Sequence, residues 1–301
     1  MIAAKTQKKK KFKTVRNSTS AIIFYLIIVI PCVVQVAIFY FGVNINGYLL
    51  AFQGYDTVDG RFYWNGFNTI VALCKEIFAP GTGGMWWRSV FGWALSIVTT
   101  FFSFFLSFCL YKRIPLSGFF KVMLFLPSVI PGVSMVLFYK SFMELVVDPM
   151  IIASPDTAFW MLTLYGVWLG FGGGMIMYCG VMARIDTELV DAIRIDGGTE
   201  VDEFKHLAWP AVYGFITIGL YTGLSAIFSG MPNTYVFFGN EAPKEAWTIG
   251  YYMYSKIVGQ YSSSVYVNYT TTAAANMLFG LIVILPTFLL KNFFERKDPN
   301  Y

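Results

Sequence analysis

Six stretches of about twenty mostly apolar residues decide what this chain can become, because each is long enough to cross a bilayer as a helix. They run over 21–43, about 90–111, 119–142, 159–182, about 211–230 and 273–290. Composition closes the soluble alternative: 56% of the 301 residues are hydrophobic and 13% are charged, roughly half the charge a soluble domain carries. Aromatics at 19% suit lipid-facing helices with belts at the two interfaces. The chain reads as an all-α membrane protein with six transmembrane helices. Its first apolar run is too long for a cleaved signal, and no small-x-small site follows Val43.

The basic residues orient the spans. Sixteen of the 22 lie in the segments that six crossings place on one side: the tail 1–20, the 112–121 connection, the 184–210 loop and the end of the chain from Lys291. The positive-inside rule then predicts cytoplasmic termini and a multi-pass protein of the cell membrane, with a six-span body over 21–291. Topology and lipid-surface attraction explain the lysine cluster from Lys5 to Lys13. Basic residues elsewhere are too scattered for nucleic acid. The segments 44–85 and 231–270 fall outside, the first read as a polar, Gly-rich loop and the second as a Tyr-rich one. Of the four cysteines, Cys74 reads as lying in that polar loop and the others in apolar runs; none has a metal or redox spacing.

The interior is notable for what it lacks. Ion-coupled carriers hold protons or sodium on ionisable groups within their spans, and here no Asp or Glu lies mid-span. The only histidine, His206, sits in a loop, so no metal pair or Cys/His constellation can form. No catalytic residue, metal ligand or phosphate-cradling motif is found in the chain. Energy for uphill work has to come from another polypeptide. Pro127 and Pro131 are expected to kink the third span, either to line a cavity or as a structural bend. The glycines between 170 and 174 are expected to permit close helix packing.

The 184–210 loop is the longest polar segment between spans on the basic side, and it holds seven acidic residues. Asp186 is placed to cap a short helix whose apolar side is Leu189, Ala192 and Ile193. Gly197-Gly198 ends it, and Thr199 with Asp202 forms a capping box opening a second helix with Val201, Phe204 and Ala208 on one face. Pro210 marks the entry to the fifth span. Two amphipathic helices tethered at both ends make a compact knob with an apolar face to bury.

These residues resemble a known pattern. Asp191-Ala192-Ile193, three residues, Gly197, nine residues and Leu207-Ala208-Trp209-Pro210 is similar to the EAA loop of bacterial ABC-importer permeases. The run from Ile185 to Gly197 resembles the carbohydrate, maltose-type branch. The chain departs from the pattern at Asp191, Ile193, Leu207 and Trp209 without changing its spacing. Phe119-Phe120-Lys121, Leu126-Pro127, Ile130-Pro131, Trp168, Phe228 and Thr272-Ala273-Ala274-Ala275 also have counterparts in order.

The resemblance implies a type I permease fold with an EAA coupling helix, working in the lipid bilayer. It implies a second, homologous permease subunit, two cytoplasmic ATPase subunits and an extracytoplasmic solute-binding protein as partners. ATP and magnesium would be held by those ATPases, and no cofactor by this chain. Glu188, Leu189, Asp191, Ala192, Ile193, Arg194, Asp196, Gly197, Phe204 and Pro210 would form the coupling surface. Leu189, Ala192, Ile193 and Phe204 would be buried against an ATPase, with Asp191, Arg194 and Asp196 at the rim. The competing class is an ATP-independent facilitative channel or secondary carrier. Tyr139, Trp168, Ser225, Phe228, Asn233 and Asn276 offer the aromatic faces, amides and hydroxyls that sugars require. Mid-span Arg and Lys are absent, which favours a neutral sugar or oligosaccharide over a phosphorylated solute.

Overall fold

The structure is a computed structural model and describes residues 19–112, 114–147, 154–230, 233–257 and 265–299. Lys5 to Arg16 of the basic tail, Arg113 and Tyr261 lie outside them. The chain divides into two compact units, Met1–Leu50 and Ala51–Tyr301. In the first, α1 (Thr19–Gln35) runs through a π-wound stretch, Val36–Val43, into α2 (Asn44–Ala51). Its side chains from Ile22 to Val43 are exposed apolar surface, which only lipid or another apolar body can cover.

The second unit opens outside the apolar spans. Residues read as a polar loop form an antiparallel hairpin, β1 (Gln53–Asp56) with β2 (Arg61–Trp64), and a helix, α3 (Asn68–Ile77). Cys74 is therefore a half-buried helical residue. There follow α4 (Gly83–Tyr111), α5 (Ser117–Val129), α6 (Gly132–Val146), α7 (Pro155–Gly173) and α8 (Met175–Met182). Two short helices, α9 (Thr187–Ile195) and α10 (Glu200–Glu203), lead through a π-wound turn into α11 (Trp209–Thr222). The chain closes with α12 (Ala226–Ser229), α13 (Thr234–Phe238), α14 (Ile249–Ile257) and α15 (Val265–Glu295).

Among the described residues, five helical runs are long and apolar enough to cross a membrane: Ile22–Ala51, Gly83–Tyr111, Pro155–Met182, Glu200–Phe238 and Tyr269–Glu295. The third expected span is different. It is the pair α5 and α6, bent by 110°, so six crossings are reached only if this broken pair counts as one. Pro131 is responsible. The residue before a proline is driven out of the helical region, and Ile130 is extended at φ −72°, ψ 137°. Pro131 itself continues at ψ 132° before α6 starts. Pro127 stays inside α5.

Close packing between spans uses glycine where expected. A Cβ on Gly172 would lie 1.9 Å from the Leu124 carbonyl oxygen, and one on Gly170 would lie 3.0 Å from Thr99 Oγ1. One apolar cluster joins α3, α14 and α15 through Leu73, Ile249 and Phe279. Another joins α6, α7 and α13 through Tyr139, Tyr165 and Phe237. A third, at the end that carries the 184–210 loop, joins α4, α8 and α11 through Phe108, Met182 and Val212. The Tyr-rich segment is sewn to the start of α4. Arg88 donates Nε to the Trp247 carbonyl at 2.8 Å and Nη2 to that of Lys244 at 2.8 Å.

Candidate functional site: a clamped loop and an uncharged groove

The 184–210 loop is built from local signals. The Asp186 carboxylate accepts the Glu188 amide at 3.0 Å and opens α9. The helix ends in a Schellman turn: the Gly197 amide donates to Arg194 O at 3.1 Å and the Gly198 amide to Ile193 O at 2.8 Å. Gly197 has φ +78°, the left-handed value that a side chain resists. Gly198 is restricted for another reason, since a Cβ there would lie 2.5 Å from Ile193 Cγ2. The Thr199 amide then donates to Asp202 Oδ2 at 2.7 Å, half of the capping box that starts α10.

Tertiary contacts fix this knob to the body. Glu203 is 3% exposed. Its Oε2 accepts from Lys112 Nζ, at the end of α4, and its Oε1 accepts from Arg194 Nε at 3.1 Å. A second carboxylate, Glu200, lies 4.0 Å from Lys112. Beside Glu203, Phe204 packs against Phe104 at 5.0 Å and edge-on to Phe108 at 5.1 Å between centroids.

Phe204, half-buried beside the rings of α4, and Arg194, whose exposed side chain donates to Glu203, both make contacts within the chain that the sequence reading did not include. Glu188, Leu189, Asp191, Ala192 and Asp196 are exposed, Ile193 and Pro210 are half-buried, and α9 contributes no buried residue. Glu203 and Lys112 had no local signal to single them out.

The candidate pathway residues separate into two places. Ser225, Phe228 and Asn276 line one groove of about 420 Å³ between α12, α14 and α15, together with Tyr254 and Thr272. Among the described residues, no charged side chain lines it. Phe228 is stacked on Phe279 at 4.6 Å and meets the Trp86 ring edge-on at 5.9 Å. The Thr272 hydroxyl is buried and has no partner among the described residues, leaving a polar atom for a ligand or water to satisfy. Thr272 and Tyr254 were not singled out from the sequence as ligand contacts. Tyr139 is elsewhere: it is 6% exposed, in van der Waals and ring contact with Tyr165 and Phe237, and its hydroxyl donates to Met161 O at 3.3 Å. Trp168 stacks on Tyr139 at 6.0 Å. Tyr139 belongs to a packed cluster, Trp168 is 36% exposed, and neither lines the groove. Asn233, at φ +54°, begins α13 and is not among the groove's lining residues.

No protein-family model matches the chain. In sequence it is 23% identical over 182 residues to the probable starch degradation products transport system permease protein AmyD of Thermoanaerobacterium thermosulfurigenes. That match covers 55% of this chain and 62% of the relative. It is 36% identical over 64 residues to the maltodextrin transport system permease protein MdxF of Bacillus subtilis (strain 168), covering 20% of this chain and 15% of the relative. The matched segments thus span less than two thirds of these relatives. Among solved structures, a bacterial ABC transporter involved in the import of the acidic polysaccharide alginate superposes with a TM-score of 0.71 at 14% identity, over 92% of this chain and 96% of that one. A bacterial alginate ABC transporter in complex with alginate pentasaccharide-bound periplasmic protein gives 0.71 at 15% identity, over 93% and 96%. The chain has the fold of an ABC importer permease, and in sequence it is similar to permeases named for starch degradation products and maltodextrin.

Proposed function

We propose that this chain is the transmembrane permease subunit of an ATP-driven, binding-protein-dependent importer of a neutral oligosaccharide. It would sit in the cell membrane with both termini cytoplasmic, form half of the pathway with a second permease, and receive force from two ATPase subunits. Hydrolysis of ATP with magnesium would occur on those ATPases. An extracytoplasmic binding protein would deliver the solute.

The observation that carries the reading is the capped two-helix knob, in the EAA spacing, on a permease fold whose groove is lined, among the described residues, by no charged side chain. A groove without such a group has nothing to couple to an ion gradient. Its own chemistry suits a sugar. Phe228 and Tyr254 supply rings for C–H faces, while Ser225, Thr272 and Asn276 supply neutral donors and acceptors. An acidic chain such as alginate would find no cation there, whereas the relatives named for starch products and maltodextrin have neutral cargo in their names.

The test begins with the tagged full chain purified in mild detergent with its bound subunits and reconstituted in vesicles with its binding protein. Maltotriose uptake should require ATP inside and exceed that of alginate trisaccharide. Uptake that proceeds without ATP, or a purified chain that never retains an ATP-hydrolysing subunit, would replace the importer with a carrier or channel. Preferred uptake of the acidic trisaccharide would overturn the neutral-substrate assignment alone.

A further inference from the structure

The first coupling helix, α9, is held in place in an unusual way for a force-bearing element. It buries no residue of its own and joins α10 through Gly197-Gly198, a pair with no side chains to stiffen it. Backbone alone would leave it hinged. What spans the hinge is charge. Arg194, in the last turn of α9, bonds one oxygen of Glu203, and Lys112, just past the end of α4, bonds the other. Glu203 is buried, and Phe204 next to it is lodged among the α4 rings, so the carboxylate cannot follow α9 if the helix swings away. We infer that Glu203 is a positioning residue that locks α9 to the end of α4, so that force on the coupling helix enters the second span through Arg194–Glu203–Lys112 as well as the fifth span through the chain. This rests on the reading of the loop as the coupling element.

The clamp is asymmetric, and the asymmetry makes it testable. Lys112 and Glu203 are both largely buried, so Glu203→Gln leaves the lysine without its close partner, a change that destabilises strongly. The Arg194 side chain is 57% exposed and can turn to water, so Arg194→Gln cuts the link to α9 while the buried pair survives. Swapping the buried pair, Lys112→Glu with Glu203→Lys, restores attraction between α4 and the loop. It sets a lysine beside Arg194, which is free to leave, so the swap rescues anchoring of the loop but not the link to α9.

The experiment uses the reconstituted complex, with the four native cysteines replaced and spin labels at Ile195 and Leu116. These sites are 85% and 72% exposed, one on α9 and one between α4 and α5. Wild-type protein should give a narrow distance distribution. Arg194→Gln should broaden it, keep the ATPase subunits bound, and lower maltotriose uptake per ATP hydrolysed about tenfold, the range of a typical coupling free energy. Glu203→Gln should broaden it and reduce folded yield; the swap should recover the yield but not the narrow distribution. A narrow distribution in Arg194→Gln would overturn the clamp. Broadening with unchanged uptake per ATP would overturn the force path while leaving the loop's coupling role intact. If the wild-type complex holds no ATPase, the coupling reading fails and the inferred force path falls with it. The width series would then decide only whether the clamp exists.

Discussion

Gly172→Ala tests the packing of the spans most directly. Its Cβ would lie 1.9 Å from the Leu124 carbonyl oxygen and 3.0 Å from the carbonyl carbon. An ordinary carbon–oxygen approach is about 3.3 Å, so one backbone has to retreat by roughly 1.4 Å. The obstacle is main chain in the middle of α5, and no rotamer change can relieve it. Overpacking of this kind costs about 1–3 kcal/mol, against which the helix preference of alanine over glycine returns at most about 1 kcal/mol. Gly166 lies on the same helix, and its Cβ would meet nothing within 4 Å, so Gly166→Ala keeps only the favourable part. Gly170 is intermediate, with Thr99 Oγ1 at 3.0 Å on a side chain able to give way. Unfolding of the chain in mixed lipid–SDS micelles, followed by tryptophan fluorescence, should therefore rank Gly166→Ala above wild type, Gly170→Ala near or below it, and Gly172→Ala lowest. Equal shifts for Gly166→Ala and Gly172→Ala, or a Gly172→Ala midpoint at the wild-type value, would refute the argument that this glycine holds α5 and α7 in contact.

The turn at the coupling helix should distinguish its two glycines: Gly197→Asn should be tolerated better than Gly197→Ala, which costs about 1 kcal/mol in the left-handed region, and Gly198→Ala should fail on collision with Ile193. Hydrogen exchange over 187–195 reads all three, and identical exchange would remove the turn's role. In the groove, Phe228→Ala and Asn276→Ala should lower maltotriose uptake with folded yield kept, whereas Tyr139→Ala should lose about 3–5 kcal/mol of stability as a buried aromatic; a Tyr139→Ala chain of normal yield and lost uptake would return that tyrosine to the pathway. Outside the spans, burial pushes the Glu76 carboxyl up, but hydrogen bonds from Lys256 and Tyr252, with the charge of Lys256, outweigh it and hold the group below its ordinary 4.5. Because the folded value is the lower one, this stabilisation is complete above pH 4.5 and disappears as pH falls through the folded value. Wild type should thus melt above Glu76→Gln at pH 7 and converge with it in acid, and a constant gap across that range would sink the assignment.

Some of this molecule could be read from its residues because the signals are local. A span announces itself by length of apolar run, and a helix end by the chemistry of one cap. Asp186, Gly197 and the Thr199–Asp202 box are read correctly for that reason: each acts on backbone within four residues of itself. The 110° bend was half legible. Two prolines stand in the third span, and only the conformation of Ile130 decides that Pro131 breaks the helix while Pro127 does not. The hairpin at 53–64 was missed although Asp59-Gly60 is a turn signal and Gly60 takes φ +65°; the aromatics flanking it read equally well as belt or loop.

Where residue type is the same for two roles, only tertiary partners decide. Tyr139 and Phe228 are both aromatic residues at the edge of a span, equally suited to pack or to face a sugar. Tyr139 is closed in by Tyr165 and Phe237, from helices 26 and 98 residues further along, whereas Phe228 keeps an edge on an open groove. Charge is the harder case. Glu203 is one of seven acidic residues in the loop, and solvation is the cheapest fate for each of them. It is buried where Lys112, 91 residues earlier and just past the end of α4, meets one of its oxygens and Arg194 reaches across the glycine turn to the other. A carboxylate with both oxygens bonded to cations can leave water where its neighbours cannot. Of the loop's six other acidic residues, Asp186 and Asp202 are spent on helix caps and Glu200 lies 4.0 Å from Lys112. That leaves Glu188, Asp191 and Asp196 exposed for whatever the open face of α9 meets.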